Sequence, residues 1–411
     1  MKILIVGSGG REHAIGMKLL ESPRTQELYF APGNGGTATI GTNLPIKADE
    51  IEKLKDFALR EKIDLTIVGP EVPLMMGITD LFQGAGLRIF GPDKKGARLE
   101  ASKSFAKEFM EKYKIPTGAY KRFTDSQEAL AYLQKSDYPA VIKADGLAAG
   151  KGVVICEDYE TAEKAIKEIM EDKIFGDQGS TIIIEEFLEG KEVSLLCFTD
   201  SKAIVPMASA SDYKKAYDHD QGPNTGGMGC ISPSPYYEEG SCDHIAQKTL
   251  GGIQKEGMDV KGEVYIGLIM TKDGPKVLEY NMRFGDPETE VLLIRMETDL
   301  AEIIDQIIDK NLSKTKIKWT DQKALTVIMA AKGYPGTPQT GSLIHIPETP
   351  EGVYAYHAGT RLVDGKVISS GGRVLAISAL GQTMEEARKK AYGFIEQIEF
   401  PKSFYRKDIG E

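Results

Sequence analysis

The chain of 411 residues has only four cysteines, Cys156, Cys197, Cys230 and Cys242, and no two are spaced as C-x-x-C. Without that spacing neither a zinc knuckle nor a dithiol redox motif is suggested, and reduced thiols in a cytosolic protein are expected instead. The five histidines are scattered, so the sequence offers no histidine-based metal site. Basic residues are in deficit: 51 Lys+Arg stand against 61 Asp+Glu, a net charge of −10. Such a chain lacks the broad basic surface that a nucleic-acid backbone requires, although a small phosphorylated ligand needs only a few local donors. Long apolar runs are missing too. A stretch such as Ala324–Ala331 falls far short of the ~20 residues that cross a bilayer. The opening Met-Lys-Ile-Leu-Ile-Val-Gly turns polar too soon for a secretory signal. A cytoplasmic protein with neither a nucleic-acid nor a membrane partner is expected.

What is present is globular in kind, with 41% hydrophobic and 27% charged residues. At roughly 150 residues per domain the length suggests two to four domains. Short β-branched runs at Ile3–Val6, Leu65–Val68 and Arg88–Phe90 alternate with helical patterns at Arg11–Glu21, Ile51–Glu61 and Leu74–Gly84. That alternation predicts a doubly wound, Rossmann-like domain over residues 1–119. A small α+β unit is expected over 120–190, with strands at Ala140–Lys143, Val153–Cys156 and Thr181–Glu186 and a helix at Tyr159–Met170. A larger region over 191–318 is expected to hold strands Val193–Thr199, Glu263–Thr271 and Pro275–Tyr280 and a long polar loop, Ser211–Pro235. Strands Ala324–Ala331 and Arg373–Leu380 and helix Thr383–Gln397 predict a last α+β domain over 319–411. The class is therefore α/β and α+β, multidomain.

Several turns carry chemistry. Gly7-Ser8-Gly9-Gly10-Arg11-Glu12 lies where a strand turns into a helix, a place suited to an anion. The dinucleotide fingerprint wants a third glycine at position 12, where this chain has Glu12, so a plain tight turn competes with a phosphate-facing loop. Pro32–Gly36 and Gly69-Pro70-Glu71 are further turns of that domain, and in an open α/β sheet all three gather at one end of the strands. Lys143-Ala144-Asp145-Gly146 runs on to Gly150-Lys151-Gly152, a loop able to fold its N–H groups over a polyphosphate. It does not fit the Walker pattern, because Gly152 follows Lys151. A simple β-hairpin is the plainer alternative. Along a strand, Glu279, Asn281 and Arg283 point to one face. A carboxylate, an amide oxygen and a guanidinium there suit Mg²⁺ bound to phosphates beside an anionic reacting group. The plainer alternative is a structural Glu–Arg pair.

Taken in order, Gly7–His13, Pro32–Gly36, Gly69–Glu71, Ile142–Gly152, Glu185–Leu188, Gly222–Gly229 and Glu279–Glu290 resemble the ATP-grasp carboxylate–amine ligases. Within them the resemblance is to the phosphoribosylamine–glycine ligase family of purine biosynthesis, with Arg283–Glu290 the most specific stretch. The resemblance implies an ATP-grasp fold behind an N-terminal Rossmann-like domain, with a small C-terminal α+β domain. It implies ATP contacts from Lys103, Lys143, Gly146, Gly150, Lys151, Gly152, Glu185, Glu186, Leu188 and Glu192. It also implies Mg²⁺ (with Mn²⁺ as a substitute) on Glu279 and Asn281, and catalytic roles for Arg283 and Lys143. Substrate contacts are implied for Gly9, Gly10, Asn34, Gly35, Glu71, Asp212, Asn224, Gly226, Gly227, Arg283 and Asp286. The implied reaction joins glycine to 5-phosphoribosylamine through glycyl phosphate, with small-molecule partners only, apart from contacts with other enzymes of the pathway. Many ATP-grasp enzymes carry another acid on the preceding strand, which Val264–Met270 lacks, so the number of metals stays open. Three rivals remain: a sister ligase such as a biotin carboxylase, a nicotinamide-dependent dehydrogenase, and a nucleotide-binding regulator without turnover.

Overall fold

The structure is a computed structural model that describes residues 1–147 and 152–411. Strand Lys2–Gly7 is buried along almost its whole length, as expected of a strand with helices on both faces. It pairs in parallel with Glu27–Pro32 on one side and Leu65–Val68 on the other, and Leu65–Val68 pairs in turn with Ile89–Pro92. This sheet does not end with the first domain. Val260 and Lys261 pair antiparallel with Pro92 and Gly91, so strand Val260–Thr271 extends it into the hairpin with Gly274–Asn281 and the Lys191–Thr199 strand. A separate sheet is formed by Tyr120–Phe123, Ile182–Glu186, Ala140–Ala144 and Val153–Cys156. A third sheet is built mainly on Lys323–Ala331 and Arg373–Gly381, flanked by helix Met384–Ile395.

Local chemistry explains where the elements differ from the sequence pattern. The expected helix Leu74–Gly84 is two helices, Glu71–Met76 and Ile78–Gly84, because Gly77 adopts φ 92° between them. That left-handed conformation stops the first helix and costs glycine little. The expected loop Ser211–Pro235 contains four short strands, and two of them, Ser211–Asp212 and Gly229–Ser232, join the C-terminal sheet. They are too short and polar to show as periodic patterns. All four cysteines are buried and free. No helix among the described residues is long and apolar enough to cross a membrane.

One core cluster crosses the sheets, bringing together Ile5, Phe30, Phe198, Phe284, Val291 and Ile328. Phe284 stacks on Phe90 (centroids 5.6 Å apart) and meets Phe198 edge-on at 6.1 Å. The strand end that carries Arg283 is thereby anchored against the first domain. A second junction involves two histidines. The His357 N–H donates to His13 Nδ1 at 2.8 Å, and the rings meet edge-on at 5.5 Å. Burial, with His357 nearby, pushes the His13 pKa down to about 3, and burial pushes that of His357 down to about 4. Both stay neutral when folded, whereas the unfolded chain protonates them near ~6.5. Their contribution is thus complete above that pH and is lost as pH falls toward about 4 and 3. Urea unfolding should weaken by about 1.4 kcal/mol per pH unit per histidine below pH ~6.5. An unchanged unfolding free energy between pH 7 and 5 would contradict this.

Candidate active site

A cavity of ≈ 500 Å³ opens between the small sheet of residues 120–186 and the hairpin Val260–Thr271/Gly274–Asn281. Its far end is closed by residues from the first and last segments, including Arg11, Glu71 and Arg373. Of the residues expected from sequence, it gathers Glu71, Lys103, Lys143, Gly152, Glu185, Glu186, Leu188, Glu192, Asp212, Asn224, Gly226, Glu279, Asn281, Arg283 and Asp286 on its walls. Gly146 and Gly227 sit behind that wall: the Gly146 carbonyl accepts from Lys103 Nζ at 3.0 Å, and Gly227 packs on Asp212 and Pro287. Gly150 and Lys151 lie outside the described residues.

One half of the cavity is a slot with apolar walls from Met110, Val141, Ile155, Phe187 and Leu278. At its back, Glu185 is held between two lysines, with Lys107 Nζ at 2.8 Å from Oε2 and Lys143 Nζ at 3.1 Å from Oε1. Lys107 is almost fully buried and also donates to Thr117 Oγ1 at 2.8 Å, while Thr117 in turn donates to the Val277 carbonyl. Burial pushes the pKa values of Lys103 and Lys107 down, against the pull of Glu279 on the first and Glu185 on the second. The start of the glycine-rich loop is pinned as well. Asp145 accepts from the Ser104 N–H at 2.6 Å and the Ser104 hydroxyl at 2.7 Å, at the start of helix Lys103–Lys112.

Glu279 occupies the middle. Burial alone would raise its pKa, but Lys214, Lys143, Lys103 and Arg283 outweigh that and hold it below the usual carboxylate range. Among the described residues it forms no ion pair of its own within 4 Å, so its oxygens stay available toward the cavity. A carboxylate with a neighbouring amide oxygen, Asn281 Oδ1, fits the hard-oxygen preference of Mg²⁺, which keeps its other positions for phosphate and water. From the preceding strand the cavity receives Tyr265, whose hydroxyl lies 2.9 Å from Ser194 Oγ, which in turn donates to Glu288 Oε1 at 3.0 Å. Glu263, earlier on that strand, is buried, its carboxylate oxygens have no hydrogen-bond partner among the described residues, and burial drives its pKa well up.

Arg283 closes the other half. Its guanidinium lies 3.0 Å from Glu100 Oε1 and 3.6 Å from Glu71 Oε2. Glu100 also accepts the Met282 N–H at 2.7 Å, which fixes the backbone carrying Arg283. Nearby, Glu192 pairs with Lys214 at 2.7 Å, and buried Asp212 Oδ1 has no hydrogen-bond partner among the described residues.

The glycines of the first domain's turns lie off this cavity. Gly9, Gly10, Asn34 and Gly35 do not line the cavity. The space beside Gly7, Gly9 and Gly69 is filled by the side chain of Glu12, which accepts the Gly9 N–H at 2.5 Å and Arg11 Nε at 2.6 Å. A carboxylate of the chain itself thus fills the space that these glycines leave. Asn34 spends its amide on Ser8, Gly9 and His357 carbonyls and on the Gly36 and Thr37 N–H groups, while Gly35 bonds to Thr360. Asn34 and Gly35 are thus tied to neighbouring backbone, and none of the four lines this cavity. A Cβ at position 69 would fall 1.8 Å from Glu12 Oε1. Gly69→Ala should therefore lower stability by about 3 kcal/mol, the upper end of overpacking costs. Chemical denaturation reads this directly, and an unchanged midpoint would refute the packing role.

Sequence reasoning missed Lys107, Glu100, Arg11, Lys214 and Arg373. Lys107 had a signal, since it lies four residues after Lys103 on one helix face. Arg11 lies inside the glycine-rich turn Gly7–Glu12, and the other three are brought in by chain crossings that leave no local pattern.

The fold is the ATP-grasp fold. The biotin carboxylase domain of a 2-oxoglutarate carboxylase from Hydrogenobacter thermophilus, solved with MgADP, ADP and bicarbonate, superposes with TM-score 0.75 at 17% identity, covering 98% of this chain and 91% of that one. The phosphoribosylglycinamide synthetase N domain matches residues 1–100, its ATP-grasp (A) domain 101–289 and its C domain 324–411. The chain is 50% identical to a phosphoribosylamine–glycine ligase of Caldanaerobacter subterraneus, over 100% of this chain and 99% of that protein. A crystal structure of phosphoribosylamine–glycine ligase from Thermotoga maritima superposes with TM-score 0.86 at 37% identity, covering 99% of this chain and 100% of that one. The chain belongs to the phosphoribosylamine–glycine ligase family.

Proposed function

We propose that this enzyme ligates glycine to 5-phosphoribosylamine at the expense of ATP, releasing ADP and phosphate and forming glycinamide ribonucleotide for purine biosynthesis. The observation that carries the reading is the single cavity joining an apolar slot with the Lys103, Lys143 and Glu185 cluster to the Glu279, Asn281 and Arg283 face. A carboxylate acylates an amine poorly in water, so the glycine carboxylate first attacks the γ-phosphate, forming glycyl phosphate. The amine then attacks that carbonyl and phosphate leaves. The protein's contribution is positioning and fixed charge.

In this reading Lys103 and Lys143 hold the ATP phosphates, with Gly146, Gly150, Lys151 and Gly152 in the loop covering them. Glu185 faces the adenine amino group, Glu186 and Leu188 offer backbone hydrogen bonds, and Glu192 reaches the ribose. Glu279 and Asn281 hold Mg²⁺, which supplies charge neutralisation along the phosphates when bound, and Mn²⁺ substitutes. Arg283 steadies the acyl phosphate and the tetrahedral oxyanion. Asp212, Asn224, Gly226, Gly227 and Asp286 form the substrate side with Glu71, and Gly9, Gly10, Asn34 and Gly35 support it from behind. The division at 1–119, 120–190, 191–318 and 319–411 belongs to this reading, as do a cytoplasmic location and contacts with neighbouring enzymes of the pathway.

The test is ADP release with MgATP, glycine and freshly generated phosphoribosylamine, each omitted in turn. ADP that appears only with all three, together with a product whose mass joins glycine to the sugar phosphate, supports the reading. Turnover with bicarbonate instead would move the chain to a sister reaction, and ATP binding without turnover would favour a regulator.

A further inference from the structure

Arg373 opens the strand Arg373–Gly381 of the C-terminal sheet, yet its guanidinium reaches the substrate half of the cavity. A register shift in the pairing with Lys323–Ala331 produces this. Ala330 faces Arg373 while Met329 faces Leu375, so one extra residue bulges out and re-aims the side chain. The fork then grips two loops about sixty residues apart in sequence. Nη1 donates to the Gly226 carbonyl and, at 2.9 Å, to the Asp286 carbonyl, with Gly227 O at 3.4 Å, while Nη2 lies 3.0 Å from Asp286 Oδ1. Gly226 lies against the guanidinium: a Cβ there would sit 3.1 Å from Arg373 Cζ. The same residue is held from its other side by Tyr334, whose hydroxyl accepts the Gly226 N–H at 3.0 Å.

We infer that Arg373, assisted by Tyr334, is the positioning residue through which the C-terminal segment holds Thr225–Gly227 and Asp286 in register for the substrates other than ATP. Arginine suits the task because its planar fork bonds several acceptors at once, which an ammonium cannot do at the same spacing. The guanidinium acts through the loops it joins. Its partners all lie in the substrate half, away from the Lys107, Lys143 and Glu185 cluster. The clamp therefore separates substrate positioning from nucleotide binding. It also gives the last segment of the chain a part in the site. This inference rests on the ligase reading above.

The test uses the full-length enzyme and its Arg373→Gln, Arg373→Lys and Tyr334→Phe variants. ATP dissociation constants in Mg²⁺ are measured by calorimetry, alongside kcat and the KM of glycine and of the amine. Arg373→Gln should raise KM for glycine or the amine at least tenfold with the ATP constant within twofold. Arg373→Lys should recover little of that loss. Tyr334→Phe should move the same KM by about threefold to tenfold, the worth of one neutral hydrogen bond. If Arg373→Gln does not fold, the other two variants carry the test. Unchanged KM values in the folded variants, or ATP affinity lost in step with KM, would overturn the clamp. Wild-type enzyme that makes no product from glycine would overturn the ligase reading itself, and this inference with it.

Discussion

Replacing Glu279 by glutamine is expected to abolish turnover, by at least about 10²–10³-fold, while leaving the fold intact. The exchange preserves shape and removes one charge. That charge stands among Lys214, Lys143, Lys103 and Arg283, which keep the carboxylate ionised well below neutral pH. No described partner takes up its oxygens, so the group is positioned to serve a ligand rather than to brace the fold. Glutamine offers a cation one neutral oxygen in place of a charged pair, and with Asn281 already neutral the protein would present no negative ligand there. The half-saturating Mg²⁺ concentration should rise, and the thermal midpoint without ligands should stay within a few degrees of wild type. Near-normal activity at ordinary Mg²⁺ would remove the metal assignment.

Arg283→Ala is expected to lower kcat by about 10²–10³-fold while changing ATP affinity less than threefold. Arg283 lies two residues beyond the end of the strand that carries Glu279 and Asn281, on the substrate side of the cavity. In the proposed reaction its charge is therefore expected to bear on the acyl phosphate and the oxyanion and hardly on bound ATP. The substitution also strands Glu100, a buried carboxylate whose pKa burial already raises and Arg283 holds back. Losing one partner of such a pair costs about 3 kcal/mol, so the kinetics should be read well below the lowered unfolding transition. Arg283→Lys keeps a charge near Glu100 and should restore stability more than rate. Equal losses in kcat and ATP affinity would argue against the role in stabilising the intermediate.

The parts of this site that were legible in the sequence are those that sit on one strand or one turn. Glu279 and Asn281 share a strand face, and a period of two shows it directly. Lys143 ends a strand whose apolar run is plain, so its place at the loop mouth could be anticipated. Glycine-rich turns were harder to read, because glycine marks close approach without naming what approaches. Gly7, Gly9 and Gly69 make room for Glu12, a side chain of the same domain, and sequence could not distinguish that from room for a phosphate. Asn34 likewise spends its amide on the domain's own backbone. The contacts that sequence hid are long-range ones: Arg373 to Asp286, Glu100 to Arg283, Lys107 to Glu185. Each joins segments dozens of residues apart, through a strand bulge at Arg373 and through helices packed against the sheets at Glu100 and Lys107, which no local periodicity announces. The continuous sheet from the first domain into the Val260–Thr271 strand was hidden for the same reason.

In the proposed reaction, glycine's carboxylate is activated as an acyl phosphate in this cavity. The most direct measurement is one turnover series with glycine carrying ¹⁸O in both carboxylate oxygens, reading the released phosphate by ³¹P NMR and the product by mass. One ¹⁸O is expected in each phosphate and one in the amide carbonyl of the product. Product formed with unlabelled phosphate, or with the label in AMP, would contradict it.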